Sequence, residues 1–201
     1  MTDEPAGTQY GGLGIRLLAL AADLGLVFLV AAALLVGAST VLAADDLAPV
    51  ALALLAFALL YWPLMQASGL EATLGKAIIG LKVTRFDGRR ISLLRSLWRE
   101  LAKVFSVATV LLGYLMAAVM PRKQALHDLL AATYVVRDGP ARVVVALAVA
   151  AAGFALPLVV SPMVADPKAL AALRSTAEQV KARAESLITR YRPDKLTLPR
   201  P

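Results

Sequence analysis

The chain has no cysteine and a single histidine, His127. Without thiols it forms neither disulfides nor thiolate metal sites. One imidazole builds no metal centre unless carboxylates gather from elsewhere, so no metal and no other cofactor is expected. No serine stands in a nucleophile-like setting, which removes serine hydrolysis. The stretch GLEATLGKA, Gly69 to Ala77, resembles a phosphate loop only in part. Five residues separate Gly69 from Gly75, where the motif has four, and Ala77 replaces the hydroxyl that would bind magnesium. With no nucleophile, no metal set and no nucleotide loop, an enzyme is not expected. Charge is scarce as well, at 17% of 201 residues, against about 25% in soluble domains.

What fills the chain instead is apolar. Hydrophobic residues make up 59%, against roughly 45–50% normally, and they are clumped. Leu13–Val36 holds 24 residues with Arg16 and Asp23 as its only charges, and Ala48–Ala67 holds 20 with none. Val104–Met120 and Val143–Val160 hold 17 and 18 uncharged residues. A helix needs about 20 apolar residues to cross a bilayer, so the first two runs qualify and the last two do so with flanking residues. A soluble protein with buried helices fits these runs poorly. A secretory signal fits the start poorly too, because the leader is acidic (Asp3, Glu4) and the run too long. The expectation is an all-α membrane protein with three to four transmembrane helices, lodged in a lipid bilayer. Its parts are a disordered segment over residues 1–12, a membrane domain over 13–137 with spans near 13–36, 48–67 and 104–120, a further span over 142–163, and a C-terminal amphipathic helix and tail over 166–201.

The net charge of +7 informs orientation more than partners. Basic loops beside spans are what orientation requires, so nucleic acid is not an expected partner. The loop 37–47 carries Asp45 and Asp46 and no basic residue, whereas 68–103 carries eight Lys or Arg. The positive-inside rule places the second loop, and with it the N-terminus, in the cytoplasm. Tyr61 and Trp62 then suit an aromatic belt. If 104–120 crosses, four basic residues of 121–142 face outward. If it is a re-entrant hairpin bent near Gly113, eight basic residues of the tail face outward instead. Counting alone prefers four crossings.

Two local patterns sit in the basic loop. Gly80–Ser92 alternates β-formers around a turn at Asp87-Gly88, a hairpin signature. Leu93, Leu94, Leu97, Trp98, Leu101 and Phe105 then share one helical face and Arg95, Arg99 and Lys103 the other, as in an interfacial helix with its basic side on anionic lipid or the entry turn of a span. The run Tyr134–Val136 is a candidate to pair with Lys82–Thr84, which needs both on one side of the membrane. In the tail, Asp166-Pro167 makes a helix start. Leu170, Leu173, Ala177, Val180, Ala184, Leu187 and Tyr191 follow at heptad spacing up to Pro193. That seam suits pairing with another copy, or packing on the membrane or on the chain's own loops.

The charges within the first span carry the strongest signal. Seven residues turn a helix through about 700°, so Arg16 and Asp23 share a face roughly 10 Å apart. They are too distant to pair directly. Asp23 lies near the bilayer middle, where a charge costs on the order of 2.5–3.5 kcal/mol and must be paired, wet or turned inward. Arg16 can snorkel to the interface as a topogenic anchor, and Asp23 can be a structural hydrogen-bonding residue. His127 beside Asp128 is either a proton relay or a polar pair at a helix end.

These residues together resemble the RDD family of small bacterial membrane proteins. The likeness rests on Arg16 with Asp23 seven residues on, on TLGKAIIGLKVTRFDGRRIS after the second span, and on RKQALHDLLAATYVV after the third. It covers Leu13–Arg137 and departs at Ala131-Ala132-Thr133, where Ala-Gly-Thr is usual, and at Lys76-Ala77, where a second basic residue often follows. The resemblance implies that the name-giving trio is Arg16, Asp23 and Asp128, as an ion, proton or structural charge cluster. It implies the bacterial inner membrane and, loosely, a proton- or cation-coupled transporter or transporter subunit; at 201 residues one copy has few helices to enclose a pathway, so a homo-oligomer or larger complex is expected. The alternative is a non-transporting scaffold that recruits a partner through its C-terminal helix.

Overall fold

A computed structural model of the chain describes residues 8–41, 48–109 and 112–190. The first seven residues, the Asp45-Asp46 loop and the Tyr191 and Pro193 end of the heptad run lie outside the described residues. The fold is that of an all-α membrane protein with a small two-stranded sheet. In chain order the elements are α1 (Leu13–Val41), α2 (Ala48–Ala67), α3 (Leu74–Ile78), β1 (Leu81–Arg85), α4 (Leu93–Ala108), α5 (Leu112–Val119), α6 (Leu126–Leu130), β2 (Thr133–Arg137), α7 (Val143–Ala165) and α8 (Pro167–Arg190).

Three helices, α1, α2 and α7, are long and apolar enough to cross a membrane. Their apolar residues run all round, as lipid-facing helices require. The fourth apolar run is different. It forms α4 and α5, which meet at 99° instead of continuing as one straight crossing. The strands explain the geometry. β1 precedes this pair and β2 follows it, and they pair antiparallel with Lys82 opposite Val136 and Thr84 opposite Tyr134. The α4–α5 pair therefore leaves and returns to one end of the bundle. Three helices are candidates to cross, and the expected fourth span over 104–120 is a bent helix pair instead of one straight helix.

The same end gathers the start of α1, the sheet and the start of α7. The Gly11 and Arg137 N–H groups bond the Val135 and Gln9 carbonyls at 2.8 Å each, and Tyr10 bridges Val136. Residues 9–11 thus lie along the edge of the sheet, within the segment expected to be disordered. The expected hairpin over 80–92 is reduced to one bridge, Thr84 to Arg90, around the Asp87-Gly88 turn. β1 spends most of its pairing capacity on β2.

At the opposite end, α8 packs on the ends of α1 and α7. Asp166 caps it, its Oδ1 accepting the Lys168 N–H at 3.0 Å, and Arg174 Nη2 donates to the Ser39 carbonyl at 2.9 Å. The heptad residues Leu173, Val180 and Leu187 remain exposed.

α1 and α7 form the most extensive helix pair, running parallel. Their closest approach is at Gly25 and Gly153, where a Cβ on Gly153 would lie 2.2 Å from the Gly25 Cα. Lipid tails are as apolar as leucine, so such helices associate through close packing of small residues.

α4 inverts the expected polarity. Ser92 caps its start, accepting the Arg95 N–H at 3.3 Å. Its buried side holds Ser96, Arg99, Ala102 and Ser106, while Leu94, Leu101 and Phe105 are exposed. The basic face thus turns to the protein and the apolar face away, the reverse of a helix lying on a headgroup surface. Within lipid the polar face must turn inward.

Candidate functional site

Two polar clusters hold this end of the bundle together, with a cavity between them. The first is built on Asp128, the third residue of α6. Its Oδ2 accepts the Ala125 N–H at 3.0 Å, closing the first turn of that short helix. The same oxygen takes Arg16 Nη1 at 2.5 Å. Its Oδ1 takes Arg99 Nη2 at 2.5 Å and Arg99 Nε at 3.1 Å. Asp128 is wholly buried, so these bonds act with little water screening. Burial pushes its pKa up, but Arg99 and then Arg16 outweigh burial and hold the carboxyl well below the usual range. Arg16 also donates to the Gly11 carbonyl at 2.7 Å and the Lys123 carbonyl at 2.6 Å. One guanidinium thereby ties α1 to the segment before α6.

The network continues along α4. Arg99 Nη1 donates to Gln66 Oε1. The Gln66 amide donates to Glu100 Oε1 at 2.7 Å, and Glu100 Oε2 accepts Lys103 Nζ at 2.5 Å.

The second cluster is centred on Asp23, 1% exposed in mid-α1. Oδ1 accepts the Tyr61 hydroxyl at 2.8 Å and the Gly75 N–H at 2.7 Å, and Oδ2 accepts the Thr73 hydroxyl at 2.5 Å. Tyr61 in turn accepts the Leu74 N–H at 3.1 Å. Asp23 therefore clamps α1, α2 and α3 together. The clamp requires glycine at 75, because a Cβ there would lie 2.1 Å from the Ala19 carbonyl oxygen. Tyr61 is drawn inward to this carboxylate, not placed in an outer aromatic belt.

The trio is thus divided. Arg16 and Asp128 meet, while Asp23 has its own three donors. Reasoning from sequence missed Arg99, the second cation on Asp128, and Gln66, Thr73, Tyr61 and Gly75. Arg99 carried a signal, its place on the basic face of an amphipathic helix, but that pattern alone left open whether the face meets lipid or the protein. His127 is 4% exposed. Burial first, and then Arg99, push it down to about 3. Its Nδ1 lies 3.2 Å from the Ser106 hydroxyl and its ring beside Tyr114.

Between the clusters lies a cavity of about 300 Å³ lined by Arg16, Asp23, Lys76, Arg99, Glu100 and Lys103, with Tyr114, His127, Trp62 and the α1 leucines Leu13, Leu17 and Leu20. Lys76 has no hydrogen bond or ion pair among the described residues. Burial, then Arg99 and Lys103, outweigh Asp23 and Glu100 and push it down to about 7. Among the described residues no group of His, Asp and Glu is arranged to hold a metal ion.

The clamp makes a prediction. Asp23→Asn keeps an acceptor for Tyr61 and Gly75. Asp23→Leu strands three donors, each costing about 1–3 kcal/mol when left unpaired. Thermal unfolding in detergent should show a much larger drop for Asp23→Leu than for Asp23→Asn, and equal drops would remove the clamp from the account.

Over 73 residues the chain is 38% identical to the uncharacterized protein YxaI of Bacillus subtilis (strain 168). The match covers 36% of this chain and 48% of that protein, so the chain spans about half the length of the relative it matches. No solved structure matches. The sequence model of the RDD family matches residues 10–132, a stretch that holds Arg16, Asp23 and Asp128 and both clusters built on them. The chain belongs to the RDD family.

Proposed function

We propose that this protein is a small transporter, or a subunit of one, in the bacterial inner membrane with its N-terminus in the cytoplasm. The observation that carries the proposal is the cavity. Six charged side chains line a space of about 300 Å³ at one end of a lipid-facing bundle. Ionisable side chains within a membrane bundle are costly and mark a functional site by default, and here six of them converge on one space. Orientation follows from Lys76, Lys82, Arg85, Arg89 and Arg90 and from the basic residues of 121–142, all at the end that holds the sheet. Short loops count for more than a long tail under the positive-inside rule.

The group best placed to couple transport to protons is Lys76. It faces the cavity unpaired and changes charge near neutral pH. Asp23, expected to be that carrier, has each oxygen engaged by donors. Three crossings and one hairpin enclose little by themselves, so we place the working unit in a homo-oligomer or a larger membrane complex. We assign the chain no catalytic step.

Leu17 is half exposed at the rim of the cavity, so a larger side chain there blocks entry without disturbing the core. Full-length protein in proteoliposomes with a pH-sensitive dye inside should carry proton-coupled flux under a gradient of sodium, potassium or phosphate. Leu17→Trp should bring that flux to the level of empty vesicles while the protein remains inserted. Wild-type vesicles that never exceed empty ones under any of these gradients would defeat the transport proposal.

A further inference from the structure

The open hydrogen-bonding capacity of the cavity is nearly all donor. Each carboxylate oxygen around it is already engaged: those of Asp23 by Tyr61, Gly75 and Thr73, those of Glu100 by Gln66 and Lys103, and those of Asp128 by the two arginines and the Ala125 N–H. A metal cation entering here would compete with a donor already bound at every oxygen it reached. The groups left over are of the other kind. Lys76 keeps all three ammonium donors, and Lys103 has two beyond its bond to Glu100. The Trp62 indole N–H has no partner among the described residues. Charge points the same way: Arg16, Lys76, Arg99 and Lys103 stand against Asp23, Glu100 and Asp128, an excess of one positive charge while Lys76 is protonated.

We propose that this cavity binds a phosphate-type anion, with the Lys76 ammonium as its principal ligand and the spare Lys103 donors beside it. A singly charged phosphate balances the excess and offers several oxygens to several donors. The volume of about 300 Å³ is more than a halide needs. The rim is apolar, formed in part by Leu17 and Leu20, both exposed on the outer side of α1. It therefore admits the phosphate of a lipid headgroup whose chains stay outside as well as a free phosphate ion. The proposal rests on the cavity being the ligand-contacting part of the protein.

Binding brings a proton with it. The charged groups acting on Lys76 are Asp23 from α1 and Arg99, Glu100 and Lys103 from α4. In the empty cavity the two neighbouring cations and burial discourage protonation, and an anion reverses that balance. Affinity for a phosphodiester headgroup, which keeps one charge throughout, should be full below pH 7 and fall about tenfold per pH unit above it, one proton being taken up per anion. Binding of singly charged inorganic phosphate should fall more steeply, because that ion also loses a proton near pH 7.

The test uses full-length protein in maltoside micelles. One arm titrates inorganic phosphate by calorimetry at pH 6 and pH 8.5. The other adds phosphatidylglycerol and counts retained lipid by native mass spectrometry. Saturable phosphate binding identifies the free ion as sufficient, and lipid retention without phosphate binding identifies a headgroup site. In either arm Lys76→Gln should weaken binding by at least about tenfold, as expected for loss of a charge-assisted bond, and Lys76→Arg should restore most of it. Lys76 has no partner to lose, so the glutamine variant should unfold at the wild-type temperature. If that variant fails to fold, the wild-type pH dependence of phosphatidylglycerol retention still decides, because that headgroup does not titrate between pH 6 and pH 8.5. Wild-type protein that binds neither probe, binding that Lys76→Gln leaves unchanged, or affinity indifferent to pH would each overturn the proposal. Anion binding without flux defeats only the transport proposal. Flux of a monovalent cation without anion binding defeats only this one.

Discussion

Replacing Asp128 with alanine is expected to cost the fold about 3–5 kcal/mol, the usual penalty for removing one partner of a buried ionic group. The size follows from what remains. Arg99 is 2% exposed and Arg16 nearly buried, so two guanidiniums would stay inside with no counter-charge. The Ala125 N–H would also lose its acceptor at the start of α6. A chemical unfolding curve in detergent should move strongly toward lower denaturant, and a protease should cut between residues 121 and 142, which Arg16 no longer holds against α1. Asp128→Asn should fall between, since an amide keeps an acceptor but loses the charge. An unfolding midpoint for the alanine variant within experimental error of wild type would show that the two arginines find water or lipid phosphate instead. The same pair fixes a pH dependence. The folded carboxyl titrates well below its ordinary value of 3.8, so its contribution is complete above about pH 4 and is lost as pH falls below that. Mild acid near pH 5 should leave the core intact.

The second large effect is expected at the α1–α7 crossing. Gly153→Leu inserts a branched side chain where even a Cβ would lie 2.2 Å from the Gly25 Cα. Backbone, not a flexible side chain, occupies that space, so the helices must separate. Separation by a few ångströms forfeits the packing along their whole shared length, the main attraction available to apolar helices in lipid. Gly153→Ala should already loosen the pair, and Gly153→Leu should detach α7 while the Asp128 cluster, on other elements, persists. Crosslinking between cysteines introduced at Phe28 and Phe154, whose rings meet at 5.4 Å, reports on the crossing directly. Undiminished crosslinking in Gly153→Leu would show that the crossing tolerates bulk.

Much of the fold was legible because lipid imposes simple demands. Long apolar runs marked α1, α2 and α7, and the pairing of 134–136 with 82–84, open in the sequence as one candidate, is the pairing the strands make. The sharing of one acid by Arg16 and Arg99 was not legible, for a physical reason. Amphipathicity in Leu93–Phe105 is visible in the sequence, but its sign depends on whether water or hydrocarbon surrounds the helix, and the pattern is identical in both cases. Asp23 was recognised as demanding partners, but those partners are a tyrosine, a threonine and a backbone N–H, types too common to stand out. Ala132, where glycine is usual, adopts φ +51, a left-handed conformation that suits glycine better. There the departure from the family pattern could be read, but the backbone angle it strains could not.

Arg16 meets Asp128 across 112 residues of chain, and that distance orders events on the ribosome. When the first hydrophobic helix enters the translocon, its arginine and aspartate have no mates, and both must wait. The aspartate is relieved once residues 61–75 have been synthesised. The arginine waits until residue 128 has emerged, by which time the hairpin must already have turned back. Nascent chains stalled before that point should therefore expose an unanswered cation at the membrane surface, open to chaperones and quality-control proteases until the last contact closes.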